Sequence, residues 1–273
     1  DQNNRNNPFG NYLSVILNTE GFVAHEMVGQ DELDMGFLRR YPLVVLAQTA
    51  LNCDQRQMLR KYVSGGGRLV AIRPDPALAD LFGLKHTGTR AEKLYQYIAV
   101  DVDTEVGRGL TSLPLQYHGE ADEYITQGAL VAAWLCDGDV RPSNHPAVAL
   151  SRYGAGWAAA FSYDLALSVA LTRQGNPAWA WNGNGSEDGD GFEGIRPVDS
   201  FLRVSGERWV DPTRIPIPQA DEQQRLFSQC MMVLSEGVTP IPRLWYMPKG
   251  KHSLLVMTGD GDDVGFEAFD AVM

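Results

Sequence analysis

Only three of the 273 residues are cysteine, and they stand far apart at Cys53, Cys136 and Cys230. With an odd count and no CxxC pair, neither a zinc ribbon nor a disulfide framework is expected. Basic charge is also scarce: 23 Lys and Arg face 34 Asp and Glu, for a net charge of −11. No Lys/Arg cluster interrupts that balance, which excludes a protein that grips a nucleic-acid backbone. Apolar runs are short, none near the roughly 18 residues of a membrane span. A starting Met and a signal peptide are both missing, so the chain reads as a processed or excised piece and its compartment is not legible. What is present is ordinary for a globular protein, 44% hydrophobic and 21% charged residues. The length suits one large domain or two unequal ones.

The first ten residues are polar and turn-rich. Tyr12 to Leu17 has helical spacing, with Gly21 as its C-terminal stop. Phe22 to Val28 reads as a strand and Asp31 to Arg39 as a short helix. Pro42 to Ala47 (PLVVLA) is an unbroken apolar run, the mark of a parallel strand buried on both faces. Asn52 to Val63 is a helix stopped by Gly65-Gly66-Gly67. Leu69 to Ile72 is another buried strand, and Pro76 to Phe82 a short helix. This alternation predicts an open, mainly parallel α/β sheet. Strands then dominate: Tyr95–Val102, Leu113–Tyr117, Ala129–Leu135, Ala147–Tyr153 and Gly156–Ser162, the last two joined by a tight hairpin. Helical spacing returns at Leu165 to Leu171 and at Asp221 to Leu234. Residues 182–194 form a Gly/acid loop, Pro240 to Pro248 reads as a linker, and Ser253 to Met257 as a new buried strand.

PLVVLA, the following helix and YVSGGGRLVAIRP together resemble class I glutamine-amidotransferase-like domains, including β-galactosidase trimerisation domains and trehalose-utilisation-like proteins. FSYDLALSVALTRQGNP, IPQADEQQRL and PRLWYMPKGKHSLLVMTGDGDD look like bacterial proteins that join such a domain to a polysaccharide-deacetylase-like one. The resemblance covers about residues 8–205 and 250–273. It implies an amidotransferase-like domain over 1–205, an irregular or helical connector over 206–250, and the start of a truncated deacetylase-like domain over 251–273. The implied fold is flavodoxin-like: an open, mainly parallel sheet, helices on both faces, and added antiparallel strands. Such domains usually begin with a strand before the first helix, and DQNNRNNPFG is too polar to be one. That strand either lies upstream or is missing from the sheet.

Amidotransferase chemistry needs a Cys on a tight strand-to-helix elbow between glycines, and a His-x-Glu that raises its thiolate fraction. Cys53 follows a strand and precedes a helix, but no Gly flanks it, and Asn52 beside it reads as a helix cap. Cys136 and Cys230 read as packing residues. His118-Gly119-Glu120 is the only His-x-Glu, and no elbow accompanies it. The activity fails on its own requirements. A calcium loop at 182–194 fails as well, since starts at Ser186 and Asn184 put Pro197 and Ile195 where a Glu is needed.

By the deacetylase resemblance, Asp260 would be a general base and Asp262 or Asp263 a ligand for a divalent metal that activates water. No His-x-x-x-His occurs among the five histidines to complete that site, so the chain alone is expected to hold no cofactor and to be non-catalytic. In open α/β sheets, ligands bind beyond the carboxyl ends of the strands. Arg73, Asp75 and Asp164 fall there, and Arg173, Gln174 and Asn176 are expected at the same edge, with Trp179 and Trp181 as an apolar platform for a sugar. These polar residues either bind a ligand or tie loops together. The expected function is a non-catalytic accessory, carbohydrate-binding or assembly module of a carbohydrate-active protein. The alternative is the front part of a metal-dependent deacetylase-like hydrolase. Expected partners are a carbohydrate, the chain's own downstream domain, or further copies in a homo-oligomer; a polysaccharide substrate would favour the cell envelope or secretion.

Overall fold

A computed structural model describes residues 7–179, 200–203, 205–238, 240–247, 251 and 253–256. The chain opens with α1 (Tyr12–Thr19), which buries Leu13, Ile16 and Leu17. Gly21 follows at φ +85°, a left-handed turn that any side chain would strain. The expected strand at Phe22 to Val28 is not formed: only Phe22 is buried, and Val23 and Met27 are exposed. The expected helix at 31–39 splits into a 3₁₀ turn, Gln30–Glu32, and one turn of α2 (Met35–Leu38). Asp34 accepts from the Phe37 N–H at 2.6 Å and starts that turn afresh, which divides the segment.

PLVVLA yields β1 (Leu43–Leu46), half-buried at all four residues because it lies at the end of the sheet rather than inside it. α3 (Cys53–Ser64) begins with a reciprocal cap: Asn52 accepts from the Gln55 N–H at 2.9 Å, and the Gln55 side chain accepts from the Asn52 N–H at 3.0 Å. β2 (Arg68–Ile72) pairs in parallel with β1, and Pro76–Phe82 is a 3₁₀ rather than an α-helix. β3 (Leu84–Arg90) and β6 (Ala121–Thr126) form a separate two-stranded sheet that the sequence did not announce. β4 (Gln96–Val100), β5 (Leu115–Tyr117), β7 (Leu130–Cys136), β8 (Pro142–Tyr153) and β9 (Gly156–Phe161) complete the large sheet. α4 (Leu165–Gln174) and α5 (Gln219–Ser235) follow.

The seven strands lie in the order β1-β2-β9-β8-β7-β4-β5. Only β1·β2 and β2·β9 are parallel; the other pairings are antiparallel, so the sheet is mixed, with a smaller parallel part than expected. Successive side chains point to opposite faces. On β2 and β9, Val70, Ile72, Ala159 and Phe161 enter one core with α1, α4 and α5. Leu69, Ala71, Ala158 and Ala160 enter a second core with α2, α3 and the 76–82 turn. Helices thus cover both faces, as expected. The stretch expected as a connector supplies Leu226, Phe227, Cys230, Met231 and Leu234 of α5 to the first core. Ser253–Val256 form no strand, and Leu254, Leu255 and Val256 are exposed.

The Asn52 cap gives a direct check on α3. Asn52→Ala is expected to cost about 1 kcal/mol, read as a lower urea midpoint at unchanged slope. An unchanged midpoint would mean that the cap contributes nothing.

Candidate functional site

The carboxyl ends of β2 and β9 meet the strand β6. Arg73, the residue after β2, takes φ +41° and donates its N–H to the Phe161 carbonyl at 2.8 Å. The sheet therefore enforces a backbone that a non-glycine residue avoids. This aims the guanidinium at Glu120 (2.8 Å) and Asp122 (3.3 Å). Asp122 is 6% exposed and also accepts from the Thr89 hydroxyl at 3.1 Å. Asp75 pairs with Arg56 at 2.9 Å and caps the 76–82 turn through the Ala77 N–H. Asp164 caps α4 through the Leu167 N–H at 3.1 Å. Burial pushes its carboxyl above the usual range, while two helix N–H groups and the Arg73 charge pull the other way.

The second trio sits elsewhere. Arg173, on the last turn of α4, pairs with Asp221 at 2.6 Å and Gln224 at 2.8 Å. Gln174 ends the helix, and Asn176 turns its side-chain oxygen back to the Ala178 N–H at 2.9 Å. A ten-residue helix is about 15 Å long, so α4 carries this trio one helix length away from Asp164. The six expected residues do not share one edge. Trp179 is no open platform either: it is 7% exposed, packed edge-on against Trp209 and under Arg203. Trp181, the acidic loop 182–194, Asp260, Asp262 and Asp263 lie outside the described residues. Among the described residues, no group of three His, Cys, Asp or Glu side chains is placed to hold a metal.

Beside the end of α4 lies a hollow of about 460 Å³, lined by Phe201, Leu202, Ile215, Thr172, Arg208 and Gln219 among others. Apolar walls with a few polar groups are the usual make-up of a small-molecule site. Sequence patterning missed it because most of its wall, Phe201, Leu202, Arg208, Val210, Ile215 and Ile217, lies outside the α-helices and named strands.

Cys53 opens α3, is exposed, and has the Arg56 guanidinium 3.2 Å from its sulfur. His118 is wholly buried and stacked on Trp209, with ring centroids 4.3 Å apart and the ring planes nearly parallel. Among the described residues neither of its ring nitrogens has a hydrogen-bond partner, so it does not bond to Cys53 or Glu120. Glu120 belongs instead to Arg73. Burial drives the His118 pKa down to about 3. The unfolded chain therefore binds a proton that the folded one refuses, and stability contributed by neutral His118 is lost as pH falls from about 6.5 toward 3. Cys136 and Cys230 are buried packing residues, as expected; burial raises both thiols, Cys136 to about 11.

The class defined by these observations is a mixed α/β domain with an ion-paired carboxyl edge. No protein-family model matches the sequence, and no curated protein matches it. Among solved structures, it is similar to a β-galactosidase from Rahnella sp. R3 at 18% identity and TM-score 0.46, over 58% of this chain and 25% of that one. A β-galactosidase from Bacillus circulans sp. alkalophilus gives 14% identity and TM-score 0.46, over 61% and 27%. A cytoplasmic protein of Salmonella typhimurium LT2 gives 15% and 0.42, over 57% and 76%. The likeness thus spans about a quarter of each β-galactosidase chain. At these scores it leaves function open.

The edge has an unequal partnership that mutation separates. Arg73→Ala leaves Asp122 buried without its cation and is expected to cost about 3 kcal/mol. Glu120→Ala removes a half-exposed partner and should cost under about 1 kcal/mol. Equal losses in chemical denaturation would contradict the assignment of Asp122 as the anchored acid.

Proposed function

We propose that this chain is a non-catalytic, amidotransferase-like accessory module of a carbohydrate-active protein, serving in binding or assembly. One observation carries the non-catalytic part: the groups an amidotransferase would use are committed elsewhere, His118 to a buried stack on Trp209 and Glu120 to Arg73. A buried imidazole that stays neutral and touches no nucleophile cannot take its proton. Binding is the use left to the polar edge and to the hollow beside α4. The hollow offers Arg208, Thr172 and Gln219 among apolar walls, a combination suited to the hydroxyls and flat face of a sugar.

A second reading, the front part of a metal-dependent deacetylase-like hydrolase, is favoured by the exposed Leu254, Leu255 and Val256. Three consecutive exposed apolar residues suit a segment completed by further chain. In that reading Asp260 and Asp262 or Asp263 work only within a larger domain.

Affinity electrophoresis through gels containing soluble polysaccharides tests the first reading. At least one glycan is expected to retard the chain, and Arg208→Ala or Ile215→Ser to weaken the retardation several-fold. Ammonia release from glutamine that vanishes in Cys53→Ser would overturn the non-catalytic reading, and migration unchanged by every glycan would overturn carbohydrate binding.

A further inference from the structure

The tryptophans among the described residues divide by burial. Trp179 and Trp209 are buried, and Trp134 and Trp157 are partly so, but Trp245 is 70% exposed. Its neighbours in the chain are open as well, Leu244 at 62% and Tyr246 at 40%. The Trp245 and Tyr246 rings have centroids 5.7 Å apart and planes tilted by 52°, so the pair presents two aromatic rings at an angle. A ring of this kind normally goes into a core or an interface, where it buries roughly 150–250 Å². Pro240 to Pro248 reads from sequence as a linker, and a free linker would not hold such rings in one place.

This stretch is not free. Leu244 donates its N–H to the Gly21 carbonyl at 2.9 Å. The approach is so close that a Cβ at Gly21 would stand 2.1 Å from the Leu244 carbonyl oxygen. Arg243 donates through Nε to the Glu20 carbonyl at 2.7 Å and pairs with the Glu20 carboxylate at 2.9 Å. Its guanidinium lies over both the Phe22 and the Tyr246 rings, 5.2 and 5.0 Å from their centroids. The Tyr246 hydroxyl accepts from Arg243 and donates to the Glu20 carboxylate, which is only 3% exposed. Opening this buried pair would leave a charge without its partner, so the segment stays clasped to the end of α1. The clasp fixes Tyr246 and, one residue away, the backbone that carries Trp245. Arg225, half-exposed on α5, is near enough for its charge to bear on Tyr246.

We propose that Trp245 and Tyr246 form a carbohydrate-binding platform, and that its ligand is a neutral glycan whose sugar-ring face lies on the Trp245 indole. The C–H face of a pyranose is flat and apolar and suits an open aromatic ring, while its hydroxyls at the rim take hydrogen bonds. Arg225 supplies a donor near the rings. The two cations of the site are matched by Glu20 and Glu222, and the chain carries a net charge of −11, which disfavours an acidic glycan. Two aromatic rings also fall short of the roughly 800 Å² per partner that a standard protein interface buries, which favours a sugar over a second protein. Aromatic rings held on a clasped segment lose little freedom on binding. The platform presupposes the carbohydrate-binding reading and supplies its class of ligand and its contact surface.

Affinity electrophoresis of the 1–273 chain through gels containing hydroxyethylcellulose, galactomannan or polygalacturonate tests the site. At least one of the two neutral polymers is expected to retard the chain. Trp245→Ala should weaken that retardation about fivefold or more, and Trp245→Phe, which keeps an aromatic face, should retain most of it. The Trp245 fluorescence, taken as the difference between wild type and Trp245→Phe, should be quenched readily by acrylamide and become protected by the retarding polymer. Retardation that Trp245→Ala leaves unchanged would overturn the platform; if Arg208→Ala then abolishes it, carbohydrate binding stands in the hollow. Retardation by polygalacturonate alone would overturn the neutral class of ligand. A Trp245 shielded from acrylamide without glycan would overturn the site, because the chain itself or a second copy would already cover it. Migration unchanged by every polymer would overturn the carbohydrate reading, and the platform with it.

Discussion

Residues 68–72 and 157–161 pair in parallel, and their side chains go alternately into two cores. The described helices pack against the two faces of this pair. α3 and the 76–82 turn cover one face, and α1, α4 and α5 the other. At the carboxyl ends of the pair, the bond from Arg73 N–H to the Phe161 carbonyl forces Arg73 into its left-handed backbone. The guanidinium then reaches Asp122, and β6 is held over the end of the sheet by the Asp122 N–H to Ser162 carbonyl bond at 2.8 Å. The ion-paired edge follows from the central pairing.

The same closure sends His118 and Glu120 to different partners. The loop from β5 to β6 carries His118 inward beneath Trp209 and Glu120 outward to Arg73. Cys53 belongs to the other helical layer, at the start of α3. A His-x-Glu spacing places two side chains on a common loop but says nothing about where the loop turns. Here Gly119, at φ +92°, turns it between them.

Strong local signals made the central part of the fold legible. The β-rich runs 43–46 and 68–72, the Asn52 cap, the triple glycine and the 153–156 hairpin all describe themselves within a few residues. The strand pattern failed at Phe22 to Val28, where the β-prone residues lack the neighbour that would turn an extended chain into a paired one. β3 and β6 escaped notice because LKHTGTR and ADEYIT mix charge into their alternation, with one face in the second core and the other in solvent. At the site, Arg73, Asp75 and Asp164 were legible from strand ends. Their partners Glu120, Asp122 and Arg56 were not, since tertiary folding alone brings them near. Arg173 and Asn176 were misplaced by ignoring that a helix following a strand carries its far end away.

In the intact fold His118 is a buried packing residue that stays neutral. Its imidazole resonances, followed by NMR across pH 4 to 8 in the whole chain, test this directly. Burial that lowers its pKa to about 3 predicts flat chemical shifts across that range, indifferent to alkylation of Cys53. A titration near the ordinary histidine value of about 6.5, or a response to the alkylated thiol, would place His118 in reach of water and of Cys53. The proposed non-catalytic role would then fail.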